Sequence, residues 1–148
     1  DYSDPEKVKK LAEDMYDNGV QVVFAAGSDI QAPVIAAAEC KGGKVIGSIS
    51  DQSSKSDAVI TSAVYSIDKA LKDVLKDYEK GDFPGGEVLA YNAGNDGIGL
   101  ALRVHGLEQL TQKEYDSICE ELAKEGTGLN RDRISSVNDI RAPYITIK

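Results

Sequence analysis

The chemically richest residues of this 148-residue chain stand directly behind short apolar runs. Gly27-Ser28-Asp29 follows the run Val20–Ala26, and Ser50-Asp51-Gln52-Ser53-Ser54-Lys55-Ser56-Asp57 follows Lys44–Ile49. Asn92-Ala-Gly-Asn-Asp96-Gly follows Glu87–Tyr91. Such clusters hold carboxylates, hydroxyls and side-chain amides where a strand would end. Asp29, Asp51 and Asp96 can each accept hydrogen bonds from ligand hydroxyls. They can equally cap helices or hold turns. His105 is the only histidine and has no nearby Ser or Cys to complete a catalytic set. Walker, Gly-x-Ser-x-Gly and HExxH patterns are absent. The glycines from Gly94 to Gly99 lack dinucleotide spacing and read as a tight turn. Cys40 and Cys119 form no CxxC pair and read as buried free thiols on helices. Rim carboxylates without a base, nucleophile or metal set fit binding better than catalysis, so the reading is a non-enzyme without a cofactor. A flat ligand face needs an aromatic partner, and Tyr2 and Tyr65 are the ones available.

Alternating helical and strand patterns position these clusters. Asp4-Pro-Glu-Lys starts a helix: Asp4 caps, Pro5 suits the first helical position and Glu6 favours the helix dipole. Val8, Leu11, Ala12 and Met15 give its expected buried stripe, and Asn18-Gly19 stops it. Val20–Ala26 is a strand apolar on both faces, which implies a parallel sheet with helices on both sides. Ser28 or Asp29 is expected to cap the next helix, with Pro33 in its first turn and Val34, Ile35 and Ala38 buried. Lys41-Gly-Gly43 ends that helix, and Lys44–Ile49 is the next strand. Ala58–Thr61 leads into a long helix with Val64, Ile67, Leu71, Val74, Leu75 and Tyr78 as its stripe. Glu87–Tyr91 reads as a further strand. Thr111-Gln-Lys-Glu114 is a capping box opening a helix with Tyr115, Ile118, Cys119 and Leu122 inward. Weak strand character marks Ile134–Val137 and Tyr144–Ile147 in the tail. The fold class is therefore α/β, a three-layer parallel sheet with helices on both faces. Open parallel sheets bind ligands outside their strand carboxyl ends, which is where the polar clusters fall.

Length suits one domain with a real core. Lys and Arg number 17 against 25 Asp and Glu, for a net charge of −8. That charge repels phosphates and excludes a nucleic-acid partner. No apolar run approaches the ~20 residues of a membrane span. Asp1-Tyr-Ser-Asp carries no signal-peptide pattern, so the chain reads as cytoplasmic or as a mature or trimmed product. The opening helix has no strand before it, whereas a parallel α/β unit normally supplies one, so upstream sequence is expected.

The same stretches carry a family resemblance. Ile46-Gly-Ser-Ile-Ser-Asp-Gln-Ser-Ser-Lys-Ser-Asp-Ala-Val-Ile-Thr-Ser-Ala63 resembles the Ile-Gly-Val-Asp-x-Asp-Gln…Thr-Ser segment of the basic membrane lipoprotein family. These are purine-nucleoside-type solute-binding proteins of ABC transporters. Asp4-Pro-Glu-Lys resembles the family's Asp-Pro-x-Lys helix and Ala25-Ala-Gly-Ser its Ala-Ala-Gly-Gly turn. Gly81-Asp-Phe-Pro-Gly-Gly and Asp96-Gly-Ile-Gly-Leu resemble its Gly-x-Phe-x-Gly-Gly and x-Gly-Val-Gly-Leu. The similarity runs from about residue 2 to residue 110 and fades after Leu107.

The resemblance implies one lobe of a type I periplasmic-binding fold. Residues 1–148 would form the second of two lobes, present as a fragment. Residues 103–148 would be a return segment and tail that pairs along an edge or crosses to the other lobe. It implies a nucleoside-like ligand in the interlobe cleft, an ABC permease as partner and an extracytoplasmic lipoprotein location. The ligand-binding positions carried over or read from the rim are Tyr2, Gly27, Ser28, Asp29, Ile49, Asp51, Gln52, Tyr65 and Asn92. Tyr2 would stack on the base and Gly27 approach the ribose. Two positions depart from the family: Ile49 stands where an Asp would hold ribose hydroxyls, and Tyr65 where part of the family has Lys. Asp51 and Gln52 are kept. Two alternatives stand beside this reading. A small enzyme would need Asp51, Asp96 and His105 to converge, and a regulatory or interaction module would dock another chain on the rim.

Overall fold

A computed structural model describes residues 3–102, 107 and 109–124. Tyr2, His105 and the two tail stretches with strand character lie outside the described residues. Helix α1 spans Pro5–Asp17 and begins as its sequence dictates. The Asp4 carboxylate accepts from the Glu6 and Lys7 N–H groups at 3.1 and 3.3 Å. Such a cap contributes about 1 kcal/mol. Its buried face is Val8, Ala12 and Tyr16. Leu11 and Met15, expected inside, are exposed because the helix is turned to seat Tyr16 beneath strand β2 (Lys44–Ile49). The Tyr16 hydroxyl donates to the Lys44 carbonyl at 2.9 Å.

Strand β1 (Val22–Phe24) is shorter than expected and pairs parallel with β2. Helix α2 (Gln31–Lys41) connects them and buries Val34, Ile35, Ala37 and Ala38. It ends at Gly42, whose φ of +68° needs glycine. Strand β3 (Val59–Tyr65) pairs parallel with β2 across a register shift at Val45/Ile46. Val64 therefore lies in a strand, and helix α3 starts only at Ile67 and runs to Lys80. The β-branched density of Val59-Ile-Thr-Ser-Ala-Val64 suits a pleated strand better than a helix.

Strand β4 (Ile98–Leu100) returns antiparallel to β3, so the sheet, ordered β1-β2-β3-β4, is mixed. Glu87–Tyr91 forms no strand, since no neighbour pairs with it there. Helix α4 (Gln112–Ala123) carries the expected reciprocal capping box of Thr111 and Glu114. The core lies on one face of the sheet, where α1 and α2 pack together on Val45 and Val59. On the other face Val22 and Phe24 remain exposed. Cys40 and Cys119 are free thiols; Cys40 is exposed because α2 turns Val34, Ile35, Ala37 and Ala38 inward instead, and Cys119 is half-buried on α4, whose expected inward neighbours Ile118 and Leu122 are exposed. Among the described residues no helix is long and apolar enough to cross a membrane.

Candidate ligand-binding site

Strands β1, β2 and β3 run parallel, so their carboxyl ends share one edge of the sheet. Gly27, Ile49 and Tyr65 stand at those ends. The edge has a buried half and a solvent-facing half. In the buried half, Ser48 is the junction. Its hydroxyl donates to the Ala25 carbonyl at 2.8 Å and accepts the Gly27 N–H at 3.1 Å. Its own N–H donates to Gln31 Oε1 at 3.0 Å, which fastens the first turn of α2 to the end of β2. Farther along, the Gln52 N–H donates to Ser62 Oγ at 3.0 Å, and Gln52 Nε2 donates to Ser50 O and Oγ. Among the described residues no buried side-chain polar atom lacks a partner. Satisfied buried networks rigidify what they hold. Gln52, Ser48 and Gln31 thus build the rim and present little to a ligand. Gln31 went unnoticed in the sequence because nothing there shows that its amide would turn under the sheet edge.

The solvent-facing half is where a ligand can sit. Gly27, Ser28 and Asp29 line a cleft of about 670 Å³ together with Ser3, Phe24, Ala26 and Ile30. That size is ordinary for a small-molecule site. The Ser28 hydroxyl donates to Asp29 Oδ1 at 3.1 Å, and both residues are exposed. Neither caps α2, contrary to expectation: the N-cap position is Ile30, without a side-chain cap. Freed from capping, the Asp29 carboxylate faces the cleft. Phe24 is half exposed and supplies the aromatic wall. Its place one strand-end away from Gly27 was legible only once β1 was known to end at Phe24.

The remaining expected positions are dispersed. Asp51 lies on the same edge, and its Oδ1 accepts the Ser53 N–H at 2.9 Å in a local turn. Ile49 has φ +72°, a conformation that a β-branched residue adopts only under strain. Tyr65 is exposed and lines a different groove, with Tyr91 and Ile98. Asn92 spends its side chain accepting from the Gly94 N–H at 2.9 Å, while its own N–H is held by Asn95 Oδ1 at 2.8 Å. The glycine-rich stretch that follows is the tight turn expected, closed by Asp96 at φ +57°. A larger depression of about 840 Å³ runs along α4 beside Leu110 and Ile118. It shares no lining residue with the cleft at Gly27–Asp29, and Glu114 there is engaged by the Thr111 N–H and hydroxyl, which hold its carboxyl below the usual range. Among the described residues no group of three or more His, Cys, Asp or Glu could hold a metal ion.

The arrangement offers a carboxylate acceptor, a hydroxyl, an open backbone turn and an aromatic wall. These are the elements of recognition for a hydroxyl-bearing molecule with one flat face.

Known proteins bear on this. Over 87 residues, 58% of this chain, it is 33% identical to "Transcriptional activator protein med" of Bacillus subtilis, covering 27% of that protein. Over 137 residues it is 26% identical to "ABC transporter nucleoside-binding protein BmpA" of Lactococcus lactis, covering 80% of this chain and 38% of that protein. This chain thus spans well under half the length of these relatives. Among solved structures, a transcriptional activator of the comK gene from Bacillus halodurans superposes with a TM-score of 0.71 at 21% identity, over 85% of this chain and 44% of the other. A solute-binding protein of an ABC transporter system from Aeropyrum pernix gives a TM-score of 0.53 at 22% identity, over 79% of this chain and 36% of the other. Both share the α/β fold described above. The family model for ABC transporter substrate-binding protein PnrA-like matches residues 1–140. The chain belongs to the Bmp family of PnrA-like ABC transporter substrate-binding proteins.

Proposed function

We propose that this chain is part of an extracytoplasmic solute-binding protein that holds a nucleoside or a similar hydroxyl-rich small molecule and delivers it to an ABC permease. The observation that carries the reading is the open cleft at Gly27, Ser28 and Asp29 against Phe24, where Ser28 and Asp29, bonded to each other, are exposed. Asp29 accepts a ligand hydroxyl, and Phe24 covers a flat face. Family membership and the printed name of the Lactococcus relative support this ligand class. The lipoprotein anchor and the other half of the cleft would lie in the full-length form. Calorimetry of the intact native product with adenosine, guanosine, inosine and ribose tests the reading. One-to-one binding of a nucleoside without turnover is expected. Asp29→Ala should weaken it roughly tenfold or more, the worth of a hydrogen bond to a charged group. No binding of any of the four would refute the ligand class.

A regulatory role is the second reading. The 33% identity to a protein named as a transcriptional activator favours it. The isoleucine at position 49, where ligand-holding Asp is expected, favours it too. The net charge of −8 sets this chain's own surface against DNA phosphates, so within it regulation would act through a ligand or another protein. Deleting the gene separates the two. Lost solute uptake supports transport, and altered transcription with normal uptake supports regulation.

A further inference from the structure

Helix α4 carries an apolar arc that the described residues cover on one side only. On the covered side the Tyr115 hydroxyl accepts the Leu100 N–H at 3.0 Å. Gly94 sits so close to Ala123 that a Cβ on it would lie 3.0 Å from the Ala123 Cβ. The helix is thereby fastened to the outer edge of β4. On the other side Ile118 and Leu122 are 48 and 42% exposed. Ile118 lines the depression of about 840 Å³ together with Leu107 and Leu110, and the charged residues of that lining are Glu114 and Glu121. Glu114, Ile118 and Glu121 share one helical face by their spacing of four and three. An apolar groove bordered by carboxylates is complementary to an apolar segment that carries positive charge.

We propose that this groove is filled by the chain's own residues 129–148, which follow α4 and lie outside the described residues. The segment holds Arg131, Arg133, Arg141 and Lys148 against Asp132 and Asp139, a surplus of two positive charges on a chain whose net charge is −8. Ile134 and Val137, then Ile145 and Ile147, supply apolar side chains between these cations. Length permits the contact. Helix α4 has 12 residues, which makes it ~18 Å long. About six extended residues retrace that distance at ~3.3 Å each. Gly126 and Gly128 stand in sequence where the chain must turn back. The edge of β4 is closed to the segment at Leu100, because Tyr115 already holds that N–H. A second copy is the poorer occupant, since Glu114 and Glu121 would meet their own kind. The docked segment covers Ile118 and Leu122 and sets its cations beside Glu114 and Glu121. The assignment does not depend on which ligand the cleft at Gly27–Asp29 takes.

Hydrogen exchange of the 148-residue chain tests this, with a synthetic peptide of residues 129–148 as the reference. The amides of the segment should exchange at least ~10-fold more slowly in the chain than in the peptide. Ile118→Lys should bring them to within about twofold of the peptide rate, because it puts a charge into the apolar groove. Glu121→Lys suits the carboxyl end of a helix and leaves α4 intact. It should speed the segment's exchange by about two- to fivefold, the worth of an exposed ion pair, while the amides of residues 115–122 stay as slow as before. Exchange at the peptide rate in the unaltered chain overturns the proposal. Protection that survives both substitutions also overturns it, by placing the segment elsewhere, such as on the edge of β1. So does protection that rises with chain concentration, which would make a second copy the occupant.

Discussion

Gly47→Ala should collapse the buried half of the rim without touching a solvent-facing group. Gly47 lies in β2 opposite Ser62, where a Cβ would sit 2.7 Å from Ser62 Oγ and 2.8 Å from Gln52 Cγ. Neither neighbour has room to retreat, because Ser62 is 0% and Gln52 6% exposed. The two are also joined by the bond from the Gln52 N–H to Ser62 Oγ. Overpacking of this kind costs about 1–3 kcal/mol. Losing the joining hydrogen bond adds about 1 kcal/mol. The total of roughly 2–4 kcal/mol corresponds to a fall in melting temperature of about 6–13 °C for a domain of this size. Circular dichroism thermal unfolding measures it, and limited proteolysis at Lys55 reports whether the 50–57 loop has been displaced. Gly42→Ala is the control: its Cβ meets nothing, and it should cost only about 1 kcal/mol through its left-handed backbone. Adding Ser62→Ala to Gly47→Ala should recover part of the loss, since the nearest contact is then gone. A loss below about 0.5 kcal/mol for Gly47→Ala, within the range of neutral surface changes, would refute the reasoning.

Three further outcomes are expected. Burial pushes the Tyr16 phenol above its ordinary pKa, so its contribution to stability is complete below pH ~10 and is lost as pH rises through the raised folded value. Urea midpoints from pH 8 to 11 should show that loss, and Tyr16→Phe should remove the trend while costing about 1 kcal/mol at neutral pH. Glu114 is held low chiefly by the Thr111 N–H, so its support of α4 is present above the ordinary glutamate range and lost as pH falls through the depressed value. Thr111→Ala should raise the Glu114 titration midpoint in a carboxyl NMR titration. Ile49→Asp should leave stability nearly unchanged, since Asp tolerates a positive φ better than Ile. Under the nucleoside reading it should also strengthen ribonucleoside binding roughly tenfold in calorimetry; unchanged affinity would remove position 49 from the site.

Local chemistry was legible in the sequence. The Asp4 cap, the Thr111–Glu114 box, the Gly42 stop and the bounds of β2 all follow from side-chain groups and backbone preferences that act within a few residues. The α/β class and the placement of polar clusters at strand ends follow from the same alternation of periods. Which side of a pattern became interior was decided elsewhere. Leu11 and Met15 share a helical face with Val8 and Ala12, yet Tyr16 took the inner position because β2 offered it the Lys44 carbonyl. The stripe of α3 has strong helical periodicity and is exposed all the same, because periodicity names a face and only a neighbouring layer buries it. Glu87–Tyr91 has the composition of a strand, but a strand needs a paired edge that no residue type supplies. The site divides in the same way. Its residue types could be read along the chain, while Ser48, Gln52 and Ser62 went under the rim and Asp29 stayed on top because parallel pairing of β1, β2 and β3 brought their ends together.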